Sequence, residues 1–103
     1  YRLTKEDARG FEFDLPDGAC SIGIVAAKGD GAARAHDRFS PGLHHVAWRA
    51  ASREDVDAFY AHLVTLGARI LDAPAEYPEY SAGYYAVFFA DPDGLKLEYV
   101  FKP

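Results

Sequence analysis

Two aromatic-rich runs, Tyr84–Ala90 and Leu95–Phe101, flank Asp91-Pro92-Asp93-Gly94. Asp at the first position, Pro with its φ already set, and Gly at the end are type I turn chemistry. The flanking runs are rich in Val, Phe and Tyr and alternate, so the segment predicts a β-hairpin. One residue breaks the pattern. Glu98 stands among Leu97, Tyr99, Val100 and Phe101, where a carboxylate is costly unless something pairs with it. Lys96, Glu98 and Val100 share one face, so a solvated sheet edge is the competing reading.

The 103 residues suffice for one domain, and half of them are hydrophobic. A chain of this size buries roughly 60–70% of its unfolded surface, which makes one sizeable core feasible. No apolar run approaches the ~20 residues of a membrane span. The net charge is −5, and no Lys/Arg stripe is present, so nucleic acid lacks its electrostatic footprint. The single Cys20 excludes an internal disulfide and fits a cytoplasmic location. It reads as a small strand residue.

Residues 1–10 are polar, either a loop or the tail of a strand. Phe11–Leu15 and Ala19–Ala27 predict a hairpin around Pro16-Asp17-Gly18. Residues 28–41 read as a linker, and His36 within it as a solvated histidine. Leu43–Ala50 predicts a strand, with His44, Val46 and Trp48 facing a helix. Leu43, His45, Ala47 and Arg49 face the other way, towards a polar cavity. His44 takes the place of His45 only if the register slips by one residue. Ser52 caps a helix whose buried stripe is Val56, Phe59, Tyr60, Leu63 and Leu66, with Gly67 as its stop and His62 exposed. Residues 68–73 predict a short strand. Two prolines make 74–83 a loop, and it carries Tyr77 and Tyr80.

The two hairpins align at Pro16-Asp17-Gly18 and Pro92-Asp93-Gly94, which places Ile22 opposite Glu98. The second copy is a whole βαβββ unit. The first lacks about 35 residues, the length of a strand, a helix and another strand. An isolated hairpin is marginal. The expectation is an N-terminal extension or another chain that supplies the rest, as in a homodimer, domain-swapped or otherwise.

The GLHHVAWR strand, the Ser52–Gly67 helix, the EYPEY loop and YYAVFFADPDGLKLE together resemble the vicinal oxygen chelate superfamily, also called the glyoxalase/bleomycin-resistance/dioxygenase family. The resemblance covers 42–103 as a complete module and 1–27 as the end of a truncated first one. It implies an α+β fold of paired βαβββ modules closing an open cup around a divalent metal (Fe, Mn, Zn or Ni). The metal ligands it implies here are His45 and Glu98, and the third is a His on a strand absent from this sequence. Such a two-His-one-carboxylate set leaves open positions for two substrate oxygens. The implied function is a metal-dependent lyase, isomerase or ring-cleaving dioxygenase acting on a small oxygen-rich molecule. Glu98 and Tyr84 are then candidate catalytic groups, and Arg49, Tyr77 and Tyr80 candidate substrate contacts. The alternative is a metal-free, bleomycin-resistance-like protein that binds a small molecule in an aromatic cup.

Overall fold

The computed structural model describes all 103 residues. They divide into two compact units, Tyr1–Arg34 and Ala35–Pro103.

The first unit is an antiparallel sheet of β1 (Arg2–Asp7), β2 (Gly10–Asp14) and β3 (Ser21–Val25), in the order β1-β2-β3. Residues 2–7 are thus a paired strand. The second strand of the hairpin is shorter than its apolar pattern, and Cys20 lies just before it, exposed. The turn forms as its residues dictate. Gly18 N–H donates to Leu15 O, and Asp17 accepts from Ala19 N–H. The 28–41 segment contains a short 3-10 turn, Gly29–Ala33.

The second unit is a four-stranded sheet, β4 (His45–Arg49), β5 (Arg69–Glu76), β6 (Tyr85–Ala90) and β7 (Lys96–Phe101), with one helix, α1 (Arg53–Thr65). The strand order is β4-β7-β6-β5. β4 runs parallel to β7, and the other pairs are antiparallel. A parallel pair needs a crossover connection. Here α1, β5 and β6 all lie between its two strands.

Both ends of α1 follow their sequence signals. The Ser52 side chain accepts from Asp55 N–H at 3.2 Å. At the other end Gly67 adopts φ +68°. Gly67 N–H bonds Val64 O and Ala68 N–H bonds Leu63 O, the paired bonds of a Schellman stop. The helix lies over β5, β6 and β7. Val56 and Leu63 pack with Ala50, Val87 and Phe89 in the main core. Leu66 does not join the stripe and is 66% exposed, because it is the C-cap, where the chain turns away from the sheet.

β5 runs on through Pro74 to Glu76, beyond the predicted end at 73. Its register shifts between Ile70 and Asp72 and again between Asp72 and Ala75. β5 is an edge strand, where a missing N–H costs no ladder bond. The loop shrinks to 77–84 and is closed by Tyr77 N–H donating to Tyr84 O.

β1, β2 and β3 correspond to β5, β6 and β7 under the alignment of the two turns. The first unit therefore lacks counterparts of β4 and α1 only, not of a further strand. No helix of the protein is long and apolar enough to cross a membrane.

Leu63→Ala should cost about 2–5 kcal/mol, and Leu66→Ala no more than about 0.5 kcal/mol. Urea unfolding followed through Trp48, the protein's one tryptophan, measures both. Equal losses would contradict this packing.

Candidate metal centre

The sheet of the second unit has two faces. The helix-side core takes Tyr85, Val87 and Phe89 from β6 and Leu97, Tyr99 and Phe101 from β7. The opposite face takes Ala86, Phe88 and Val100, with Leu71, Tyr77 and Tyr84 packed against them. The register pairs His45 with Lys96, Ala47 with Glu98 and Arg49 with Val100. Cross-strand partners share a face, so His45, Ala47 and Arg49 line the open face with Lys96 and Glu98. No one-residue slip occurs, and Val46 and Trp48 stand on the helix side.

Glu98 is 2% exposed and is the buried charged residue of the protein. The solvated-edge reading is excluded. Neither carboxylate oxygen meets a Lys or Arg. Oε1 accepts from the Tyr84 hydroxyl, and Oε2 lies 3.3 Å from His45 Nε2. His45 and Glu98 sit diagonally across the β4/β7 ladder, so their side chains converge while their backbones stay in register. About a third of the His45 side chain remains exposed, which leaves one approach to the pair open.

The donor set suits a divalent metal. Donors cis to one another at about 2.0–2.2 Å from such an ion stand roughly 3 Å apart, close to the observed separation. A desolvated carboxylate facing an imidazole nitrogen is also an arrangement that a cation stabilises. These two residues are all the chain assembles. No group of three or more His, Cys, Asp or Glu side chains is placed to hold a metal.

His44 departs from its expected place. It precedes the first residue of β4, so no ladder bond fixes its direction. Its Nδ1 lies 2.7 Å from Nδ1 of His45, and its ring meets Phe39 edge-on at 5.7 Å. Desolvation and the neighbouring His45 hold its pKa below the ordinary value.

The family description Glyoxalase/Bleomycin resistance protein/Dioxygenase superfamily matches residues 2–99. The chain belongs to that superfamily. Its α+β architecture is shared with two crystal structures of glyoxalase-superfamily proteins. One is a candidate glyoxalase from Bacillus halodurans, 29% identical, with a TM-score of 0.80 over 99% of this chain and 75% of that one. The other is a glyoxylase/bleomycin resistance protein/dioxygenase domain from Frankia sp. EAN1pec, 25% identical, with a TM-score of 0.73 over 95% and 73%. The Bacillus subtilis protein YqjT, of uncharacterised activity, is 36% identical over 77 residues, 75% of this chain. The match spans 60% of YqjT's own length.

The remaining residues singled out in this glyoxalase-superfamily chain divide. Tyr77, Tyr80 and Tyr84 cluster on the open side. Tyr77 and Tyr80 stack at 5.7 Å, Tyr80 meets Tyr84 edge-on at 5.3 Å, and Tyr77 meets Phe88 at 5.3 Å. Tyr85 turns to the helix and donates to Asp57. Arg49 is exposed and donates to Lys102 O at 2.7 Å, which leaves only part of its guanidinium free. His36 is no solvated linker residue. Its backbone N–H donates to Asp93 O at 2.7 Å, its backbone lies against Gly94 of the turn, and its Nδ1 is buried without a partner. Sequence pattern missed this because the contact spans 57 positions of chain. Sequence pattern marks Lys96 only as a neighbour of Glu98 on one strand face. Its ammonium lies 4.0 Å above the Phe88 ring, and no carboxylate pairs with it.

Burial first, and then the bond to Glu98, push the Tyr84 phenol well above its ordinary pKa. A tyrosine raised on folding stabilises the fold below its unfolded value of about 10 and loses that contribution as pH rises through the raised value. Tyr77 and Tyr85 are also raised, by burial and by the bond to Asp57 respectively, so an absorbance titration of the seven tyrosines should show a late phase in which Tyr84 comes last, and Tyr84→Phe should remove that last step. An unchanged number of late-titrating tyrosines in the variant would contradict the contact.

Proposed function

We propose that the chain is part of a metal-dependent enzyme of the glyoxalase/dioxygenase type. Its substrate is a small oxygen-rich molecule chelated to a divalent ion. The observation that carries this reading is the 3.3 Å approach of His45 Nε2 to the buried Glu98 Oε2. His45 and Glu98 hold the ion, and a third donor comes from outside these residues, as from a second copy of the chain. When bound, the ion supplies a Lewis acid for two neighbouring substrate oxygens.

The chain's own residues do the rest. Tyr84 holds Oε1 of Glu98, so the carboxylate offers Oε2 alone and in a fixed direction. The phenol stays protonated and remains a donor at the site. Lys96 places an unpaired cation on the same face, two residues from Glu98, which favours an anionic substrate. Tyr77, Tyr80 and Phe88 form an aromatic wall, and the free part of Arg49 adds a second cation beyond Ala47. Lyase, isomerase and ring-cleaving dioxygenase chemistry all use such a centre.

The aromatic wall also supports a second reading, a metal-free cup that sequesters a small aromatic molecule. Metal content separates the two. Protein dialysed against Zn(II), Mn(II), Fe(II) or Ni(II) at neutral pH should retain one of these ions. His45→Ala and Glu98→Gln should each lower the affinity by at least about tenfold. Equal metal content in all three proteins, read by elemental analysis, sinks the enzymatic reading.

A further inference from the structure

We propose that His44 is a positioning residue that sets the ring tautomer of His45, taking up Nδ1 so that Nε2 is left to face Glu98. This rests on the reading of His45 as a metal ligand. The geometry behind it does not.

An Nδ1-to-Nδ1 approach of 2.7 Å holds one proton, so one ring donates and the other accepts. Two arrangements follow. In one, His45 carries the Nδ1 proton and donates to His44. Its Nε2 lone pair then points at Glu98 Oε2, 3.3 Å away, and the two acceptors make a place for a cation. In the other, His44 donates, and His45 carries its proton on Nε2 and gives it to Glu98. The first is the ligating form, and His44 as the acceptor selects it; the second is the form left when Glu98 alone takes up the His45 proton.

The placement of His44 suits this task. It is outside the β4 ladder, so its ring turns freely towards His45, with the ring planes crossing at 76°. Phe39 braces it from one side. The side chain is exposed, so its far nitrogen exchanges its proton with water while the near one stays in contact with His45.

The test uses His44→Phe, which keeps the ring packing without the hydrogen bond, and His44→Asn, whose amide either donates or accepts. Ring ¹⁵N shifts of metal-free protein at about pH 8, where a histidine of ordinary pKa is neutral, report the His45 tautomer. The wild type and His44→Asn should show the Nδ1-protonated tautomer, and His44→Phe, left with Glu98 as the ring's one polar partner, the Nε2-protonated one. In parallel, Zn(II) affinity should fall about 10–100-fold in His44→Phe and stay within about threefold of wild type in His44→Asn. Unchanged urea midpoints exclude a folding defect. A tautomer ratio that is the same in wild type and His44→Phe overturns the proposal. So does an Asn variant that fails as fully as the Phe variant. If His45→Ala binds Zn(II) as wild type does, the ligand reading has failed, and the metal-free tautomer data still decide the role of His44.

Discussion

A carboxylate with 2% exposure and no Lys or Arg beside it is the constraint on which this protein's second unit turns. Burying an unpaired charge costs several kcal/mol, and the fold meets that cost with its strand order. β7 lies between β4 and β6. The parallel neighbour brings His45 to one carboxylate oxygen, and the loop from β5 into β6 brings the Tyr84 hydroxyl to the other. An order with β7 at the edge supplies only one of these groups. The helix then covers the far face, and the apolar alternation of β6 and β7 becomes a consequence of having one wet face and one dry.

What was legible in the sequence is what local chemistry decides. Asp91 accepts from Asp93 and Leu95 N–H, so the turn is encoded within five residues. Ser52 and Gly67 likewise carry their own instructions. The faces of β4 followed from period-two alternation, whereas the pairing of His45 with Glu98 was implied by the family resemblance. The errors fall where tertiary context prevails over local pattern. Pro74 is tolerated because β5 is an edge strand, and edge position is a property of the sheet. Leu66 has helical spacing but is the last residue before the chain turns. His36 and Lys96 find their surroundings across chain separations that no window sees. His44 is a different case. Alternation assigned it to the helix side, but alternation applies to a residue within a ladder, and His44 stands one position outside.

The two units share a hairpin and differ in how they use it. Ile22 occupies the position of Glu98, so the first unit spends no burial on a charge. Its β1 is wholly exposed, and Phe11 and Ile24 remain 44% and 55% exposed. In the second unit the corresponding apolar residues, Val87 and Val100, are buried at 0% and 2%. The difference lies in the elements present. α1 closes one face of the second sheet and β4 occupies the edge of β7, and the first unit has no counterpart of either.

Each ligand candidate is held from behind by one polar neighbour: His45 by His44 through Nδ1, Glu98 by Tyr84 through Oε1. The four side chains form a continuous line, and its gap falls between Nε2 and Oε2. Each neighbour removes one of the two directions in which its ligand could bind, so the nitrogen and the oxygen left over point at one another. A metal site made of only two donors has little affinity from numbers. It gains instead from pre-set direction, because neither side chain has to be reoriented when an ion and a third donor arrive. In the proposed metal centre, Tyr84 and His44 would therefore count as much as the two residues they hold.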